Sequence, residues 1–225
     1  MIVIRLTIIQ LYYQIINRFK YKTYILVTLM IWFNPYFQNF IKFNVYEWVF
    51  YEFLKNRKLA RNASCLTHAT GAVLLYGTHI IYPSTGLFNL CKHWSTGYFL
   101  YDIYFMLMYE KINKVRLAYL YHHLASCFIL QYPPKFYYGD QMLFWGELSN
   151  IPSYFVYHYL HTMPATKKLN WWKKIQKIVY GGIRIPILTW LTLTVWDKAP
   201  SKFPLLFVTP VYFMGLAWAS KLLKK

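Results

Sequence analysis

The sequence predicts an all-α protein, specifically a multi-pass transmembrane helix bundle, and three observations carry that expectation. Apolar residues fill 57% of 225 positions while charged ones hold only 14%, apolar stretches of spanning length recur with short connections between them, and those connections alternate between basic and nearly uncharged. An aromatic content of 22% excludes a disordered chain, 9 Gly and 10 Pro exclude a collagen or linker, and 3 Cys exclude a disulfide-stapled miniprotein.

A spanning helix needs roughly 20 mostly apolar residues, because the hydrocarbon layer is about 30 Å thick and a helix rises about 1.5 Å per residue. In chain order, residues 1–56 open with the apolar stretch Met1 to Ile16, whose residues 2–17 suit an interfacial helix. Thr23 to Phe33 follows, interrupted by Asn34, Pro35, Gln38 and Asn39. At least one span is expected there. Six windows then fill the remainder: residues 64–82, 94–110, 117–133, 141–160, 175–196 and 203–220. So little chain separates them that consecutive helices are expected to run antiparallel as neighbours. The mean hydropathy of only +0.24 means that some helix faces are polar. Trp171 and Trp172, beside Lys173 and Lys174, read as part of an interfacial aromatic belt.

The net charge of +18 has a definite placement. Lys55, Arg57, Lys58 and Arg61, then Lys111, Lys114 and Arg116, then Lys167 to Lys177, and finally Lys221, Lys224 and Lys225 mark one set of connections. The alternate connections hold Lys92, Lys135 and the pair Lys198 and Lys202, partly offset by Asp197. This alternation puts the C-terminus in the cytoplasm. It also argues against a nucleic-acid partner, since the cations are divided among loops rather than gathered along one face.

A charge at the bilayer centre costs roughly 2.5–3.5 kcal/mol on insertion scales, so ionisable groups inside the windows need partners or a water-filled cavity. His68 and His79 lie in the first window, Asp102 in the second, His122 and His123 in the third, Glu147 in the fourth and Arg184 in the fifth. Tyr98 stands one helical turn before Asp102, so a phenol and a carboxylate share a face and a hydrogen-bonded acid is expected. His122 and His123 are adjacent and diverge by about 100° on a helix, which disfavours joint chelation of one ion. One His is expected to face a cavity and the other a neighbouring helix. Pro152 frees the carbonyl of Leu148 beside Glu147 and Asn150, and Gly181, Gly182 and Pro186 do the same around Arg184. Arg184 reads as the counter-ion of Glu147 or Asp102. Neither a metal nor a cofactor is expected.

In this order, Arg57-Lys58-Leu59-Ala60-Arg61-Asn62-Ala63-Ser64 leading to His68-Ala69, Gly97-Tyr98-Phe99 with Asp102, Tyr121-His122-His123, Gly146-Glu147-Leu148-Ser149-Asn150-Ile151-Pro152 and Arg184-Ile185-Pro186 resemble the TLC domain family of membrane proteins. The resemblance covers residues 57–222 and fits the small branch that consists of little besides this domain. It implies a six-helix membrane barrel with one or two preceding helices, a polar-lined cavity able to take an acyl chain, and residence in the endoplasmic reticulum or another endomembrane. His122 and His123 match the histidine pair of the ceramide synthase branch. Where that branch has two Asp separated by two residues, this chain has Glu147 and Asn150, and the homeobox-like region of many animal ceramide synthases is absent.

The expected function is membrane lipid homeostasis, with an acyl lipid bound or sensed in the cavity and His68, Tyr98, Asn150 and Arg184 as lipid-binding residues. One alternative is an N-acyltransferase resembling ceramide synthase, acting on acyl-CoA and a sphingoid base with His122, His123, Asp102 and Glu147 as its catalytic set. Another is a trafficking or translocon accessory, as in other branches of the family.

Overall fold

Short polar side chains set where most of the helices begin. Asn34 accepts hydrogen bonds from the amides of Tyr36 and Phe37 with Pro35 in the first turn, Asn56 from Lys58 and Leu59, Ser84 from Leu87, and Thr166 from Leu169. Asn113 accepts those of Val115 and Arg116. Each satisfies amides that a helix start leaves without an intrahelical acceptor. The computed structural model describes residues 34–131, 138–199 and 202–224, and all regular elements among them are helical. They are α1 (Pro35–Leu54), α2 (Arg57–Ile81), α3 (Thr85–Tyr109), α4 (Lys114–Gln131), α5 (Gly139–Thr162), α6 (Lys167–Gly182), α7 (Leu188–Lys198) and α8 (Leu205–Leu223). A single π-helical turn, Ile183–Ile187, joins α6 to α7. The expected helices at residues 2–17 and 23–33 lie outside the described residues.

Each of the six apolar windows falls on a helix, with α6, the π turn and α7 forming one continuous rod. Asn34 and Pro35, which read as interruptions of an apolar run, are instead the cap and first residue of α1. Two stretches, Lys167–Lys198 and Leu205–Leu223, are long and apolar enough to cross a membrane by length and composition.

The helices pack in a closed circuit: α2 against α3, α3 against α4, α4 against α8, α8 against the α6–α7 rod, that rod against α5, and α5 back against α2. The expectation that consecutive helices are neighbours therefore holds except at α4 and α5, which turn to α8 and α2 instead. Helix α1 lies against α2 and α3, and the absence of a side chain at Gly97 makes this docking possible. A Cβ there would stand 2.4 Å from the Cβ of Asn39 and 2.9 Å from backbone atoms of α1.

Aromatic rings fill the sector where these three helices meet. Phe43 of α1 has ring neighbours in Trp94, Tyr98 and Tyr101 of α3, at centroid separations of 4.8, 5.3 and 6.1 Å. Phe43, Tyr76, Phe99 and Tyr101 are almost wholly buried, so dispersion and apolar burial hold this part together. A smaller apolar cluster, centred on Ile183, Leu188 and Leu191, joins the π turn and α7 to Met142, Trp145 and Leu148 of α5. Of the expected belt pair, Trp171 is exposed, whereas Trp172 stacks on Phe155 of α5 with centroids 4.1 Å apart.

Candidate functional site

Among the described residues, a larger and a smaller cavity lie within the circuit. The larger, about 380 Å³, has Tyr98, Asp102, His122, His123, Glu147, Asn150 and Arg184 in its wall, together with Arg61, Glu110, Arg116 and Gln176. The smaller, about 110 Å³, is lined mostly by carbon: Ala125, Ile129, Leu130, Met142, Leu143, Leu188, Val208 and Leu216 among others. Phe99, His122, Glu147, Asn150, Arg184 and Val211 line both. A polar chamber and an apolar pocket thus share a wall, and four of the six wall residues are polar.

Helix geometry explains which groups arrive there. Asn56 caps α2 so that Arg61 sits in its second turn, inside the bundle rather than in a connection. Its Nε donates to Asp102 Oδ1 at 2.6 Å and its Nη2 to Oδ2 at 2.8 Å. This is the two-pronged pairing that suits a guanidinium to a carboxylate. The remaining nitrogen, Nη1, donates to Glu110 Oε1 at 3.0 Å, and Arg116 meets the other oxygen of Glu110 at 2.5 Å. Two cations and two anions, from α2, α3, its C-terminal cap and α4, therefore neutralise one another. His123 Nε2 stands 3.5 Å from Asp102 Oδ2.

This pairing corrects two expectations. Asp102 is held by Arg61, not by Arg184, and it takes its hydrogen bonds from that guanidinium rather than from Tyr98. Helix α3 carries Asp102 and the π turn carries Arg184, and the two are not neighbours in the circuit. Helix α2 is the neighbour that can reach. The phenol of Tyr98 lies beside the Cys65 thiol instead.

Arg184 has a different set of partners. Its Nε donates to Ser149 Oγ at 2.9 Å, and its Nη2 to Asn150 Oδ1 at 2.9 Å and to the carbonyl of Gly146 at 3.2 Å. All three acceptors are neutral. Glu147 points elsewhere: its Oε2 accepts from Asn150 Nδ2 at 3.4 Å and lies 3.9 Å from His68 Nδ1. The helix irregularities differ from expectation in part. Helix α5 remains helical through Pro152, whose missing N–H leaves the Leu148 carbonyl without its helical donor, and the carbonyl that Arg184 reaches is that of Gly146. Pro186 is accommodated by the π turn, which holds Arg184 in the same five residues.

His122 and His123 diverge, with ring planes at 78° and centroids 5.2 Å apart. His122 lies in the wall between the cavities, and His123 faces the larger one and Asp102. His68 is fully buried, stacked on Tyr98 with centroids 3.8 Å apart and planes within 6°. Its Nε2 is 3.3 Å from Ser95 Oγ, and it lines neither cavity. Among the described residues, no three His, Cys, Asp or Glu side chains converge as an ion site. Arg61, Glu110 and Arg116 are legible in the sequence only as topology-setting or unassigned charges. The capping Asn56 is the signal that places Arg61 inside a helix.

Comparison with family models, with curated proteins and with solved structures gives no match to this chain.

Proposed function

We propose that this chain is a multi-pass membrane protein of lipid homeostasis, resembling the TLC domain family, and that its circuit of helices holds an acyl lipid between the two cavities. The observation that carries this reading is the shared wall: a polar chamber and an apolar pocket with six lining residues in common match a molecule that has a polar head and a hydrocarbon tail. Membrane embedding is supported by an inside-out distribution of side chains. Leu74, Leu107, Leu117, Leu160, Ile178, Leu193 and Phe213, on seven different helices, are all exposed, while Arg61, Asp102, Glu147 and Arg184 face the interior. Lipid tails would cover the outer faces.

Basic residues of the α1–α2, α3–α4 and α5–α6 connections and of the C-terminal end of α8 gather at one end of the bundle, as the contacts of Arg57 with Tyr109 and of Tyr119 with Trp218 illustrate. In this reading that end is cytoplasmic, and an endomembrane is the site of action. The test is to purify the full chain in mild detergent and extract it for mass spectrometry. A stoichiometric acyl lipid is expected, and its loss is expected on replacing Leu143 and Val208 in the apolar pocket with Trp. Protein that carries no lipid and takes up none from vesicles would refute the reading.

The contact between His123 and Asp102 favours a second reading, an N-acyltransferase acting on acyl-CoA and a long-chain amine. Asp102 would orient the His123 imidazole beside the chamber, and a neutral His122 in the shared wall would take the proton from the amine as its nitrogen attacks the thioester carbonyl. The new carbon–nitrogen bond forms as the carbon–sulfur bond breaks, and the departing thiolate receives the proton. Membranes given labelled acyl-CoA and sphingoid bases should then form amide in a manner lost in His122→Ala. Absence of turnover under those conditions would leave lipid holding as the function.

A further inference from the structure

We infer that the molecule held across the shared wall carries an oxyanion, a carboxylate or a phosphate, and that Arg184 is the residue that receives it. This rests on the lipid-holding reading and narrows it to a class of amphiphile.

Of the charged residues in the wall of the larger cavity, Lys58 is exposed, Glu147 turns toward Asn150 and His68, and the others divide into two groups. Arg61, Arg116, Asp102 and Glu110 form a closed set in which both cations contact carboxylates at 3.0 Å or less. Arg184 stands apart, with no carboxylate within 4 Å among the described residues, and its three acceptors are a hydroxyl, an amide oxygen and a backbone carbonyl. A guanidinium in a membrane-protein interior is costly without an anion, and these neutral dipoles compensate only part of that cost. They also fix its plane. Nε and Nη2 are occupied, whereas Nη1 has no acceptor among the described residues and stands 3.1 Å from where a Cβ on Gly215 would be. Glycine at position 215 leaves that nitrogen room.

The position suits the junction of an amphiphile. Arg184 lines both cavities, so an oxyanion bound by its free edge would sit in the polar chamber while the attached chain entered the carbon-lined pocket. Glu147 shares the wall but turns toward His68 and Asn150, and His122 completes it. An anion there gains a hydrogen bond in which donor and acceptor are both charged, whereas a neutral hydroxyl offers the guanidinium only an uncharged acceptor.

The test uses the full chain in neutral nanodiscs and compares three probes with the same hydrocarbon tail: a long-chain fatty acid, the corresponding alkyl phosphate and the corresponding alcohol. Either anion should bind at least about tenfold more tightly than the alcohol, the discrimination typical of a hydrogen bond to a charged group. The fatty acid and alkyl phosphate arms distinguish which oxyanion the chamber prefers. Arg184→Gln should bring anion and alcohol to similar affinity. Asn150→Asp, which puts a carboxylate beside Nη2 without changing side-chain size, should remove the preference in the same way while leaving the guanidinium present. Equal binding of acid, phosphate and alcohol by the native chain would overturn the inference and leave the lipid-holding reading intact. So would an anion preference that survives in a folded Arg184→Gln. Failure of all three probes to bind would refute both.

Discussion

On the side of the circuit built by α1, α2 and α3, aromatic rings pack closely and the buried Asp102 meets its opposite charge, Arg61, at the wall of the larger cavity. Phe43, Tyr98 and Tyr101 pack together, His68 lies flat on Tyr98, and Arg61 grips both oxygens of Asp102. Across the circuit, where α5 meets the α6–α7 rod and α8, the carbon-lined pocket opens, a helix loosens into a π turn, and Arg184 makes do with neutral acceptors. Both sides contain an inward-facing guanidinium. On the proposed lipid-holding reading, the first side supports the fold and the second leaves a cation for a ligand to pair with.

Removing a guanidinium from each side is the sharpest way to break this comparison. Arg61→Ala strands Asp102, whose side chain is 2% exposed, and should cost about 3–5 kcal/mol of stability in a thermal or chemical unfolding experiment. Replacing both partners, Arg61→Met with Asp102→Leu, should recover most of that loss, because no unpaired charge remains. Next in size is Gly97→Val. The backbone of α1 leaves no room at that position, so a loss of about 1–3 kcal/mol is expected, with α1 becoming the first segment cut in limited proteolysis.

Arg184→Gln should be much gentler, below about 1.5 kcal/mol, since Gly146 and Asn150 line a cavity and the buried Ser149 hydroxyl keeps its bond to the Gly146 carbonyl. If it destabilised the protein as much as Arg61→Ala, the division into a supporting and a binding side would fail. Smallest of all is Gly215→Ala. The added methyl would press on Nη1 of Arg184, a flexible side-chain end, so stability should stay within about 0.5 kcal/mol of the native value. Anionic-amphiphile affinity should fall modestly, and unchanged affinity would show that the free edge of the guanidinium is not the contact.

Helix positions are legible in the amino-acid sequence because apolar windows depend on local composition. All six windows coincide with helices, and His122, His123, Asp102, Glu147, Asn150, Arg184 and Tyr98 all line the larger cavity. His68 does not, for a reason local pattern does not contain: Tyr98 lies over its ring, and Ser95 lies beside its Nε2. Helix α1 is harder to discern because Asn34 and Pro35 serve equally well as the end of one segment or the start of the next. Arg61 reads as a loop charge because its membership of α2 depends on a cap one turn earlier.

By itself the sequence determined the all-helical character, the approximate limits of the rods and the inventory of polar groups they carry, since backbone hydrogen bonding and hydropathy act over a few residues. Tertiary structure alone decided that α4 turns to α8 and α5 to α2, and with that which charges could meet. Ion pairing falls off over a few ångströms, whereas Arg61 and Asp102 are separated by 41 positions along the chain. Only the packing of α2 beside α3 makes them partners, and the placement of the π turn leaves Arg184 with neutral acceptors and no carboxylate within 4 Å among the described residues.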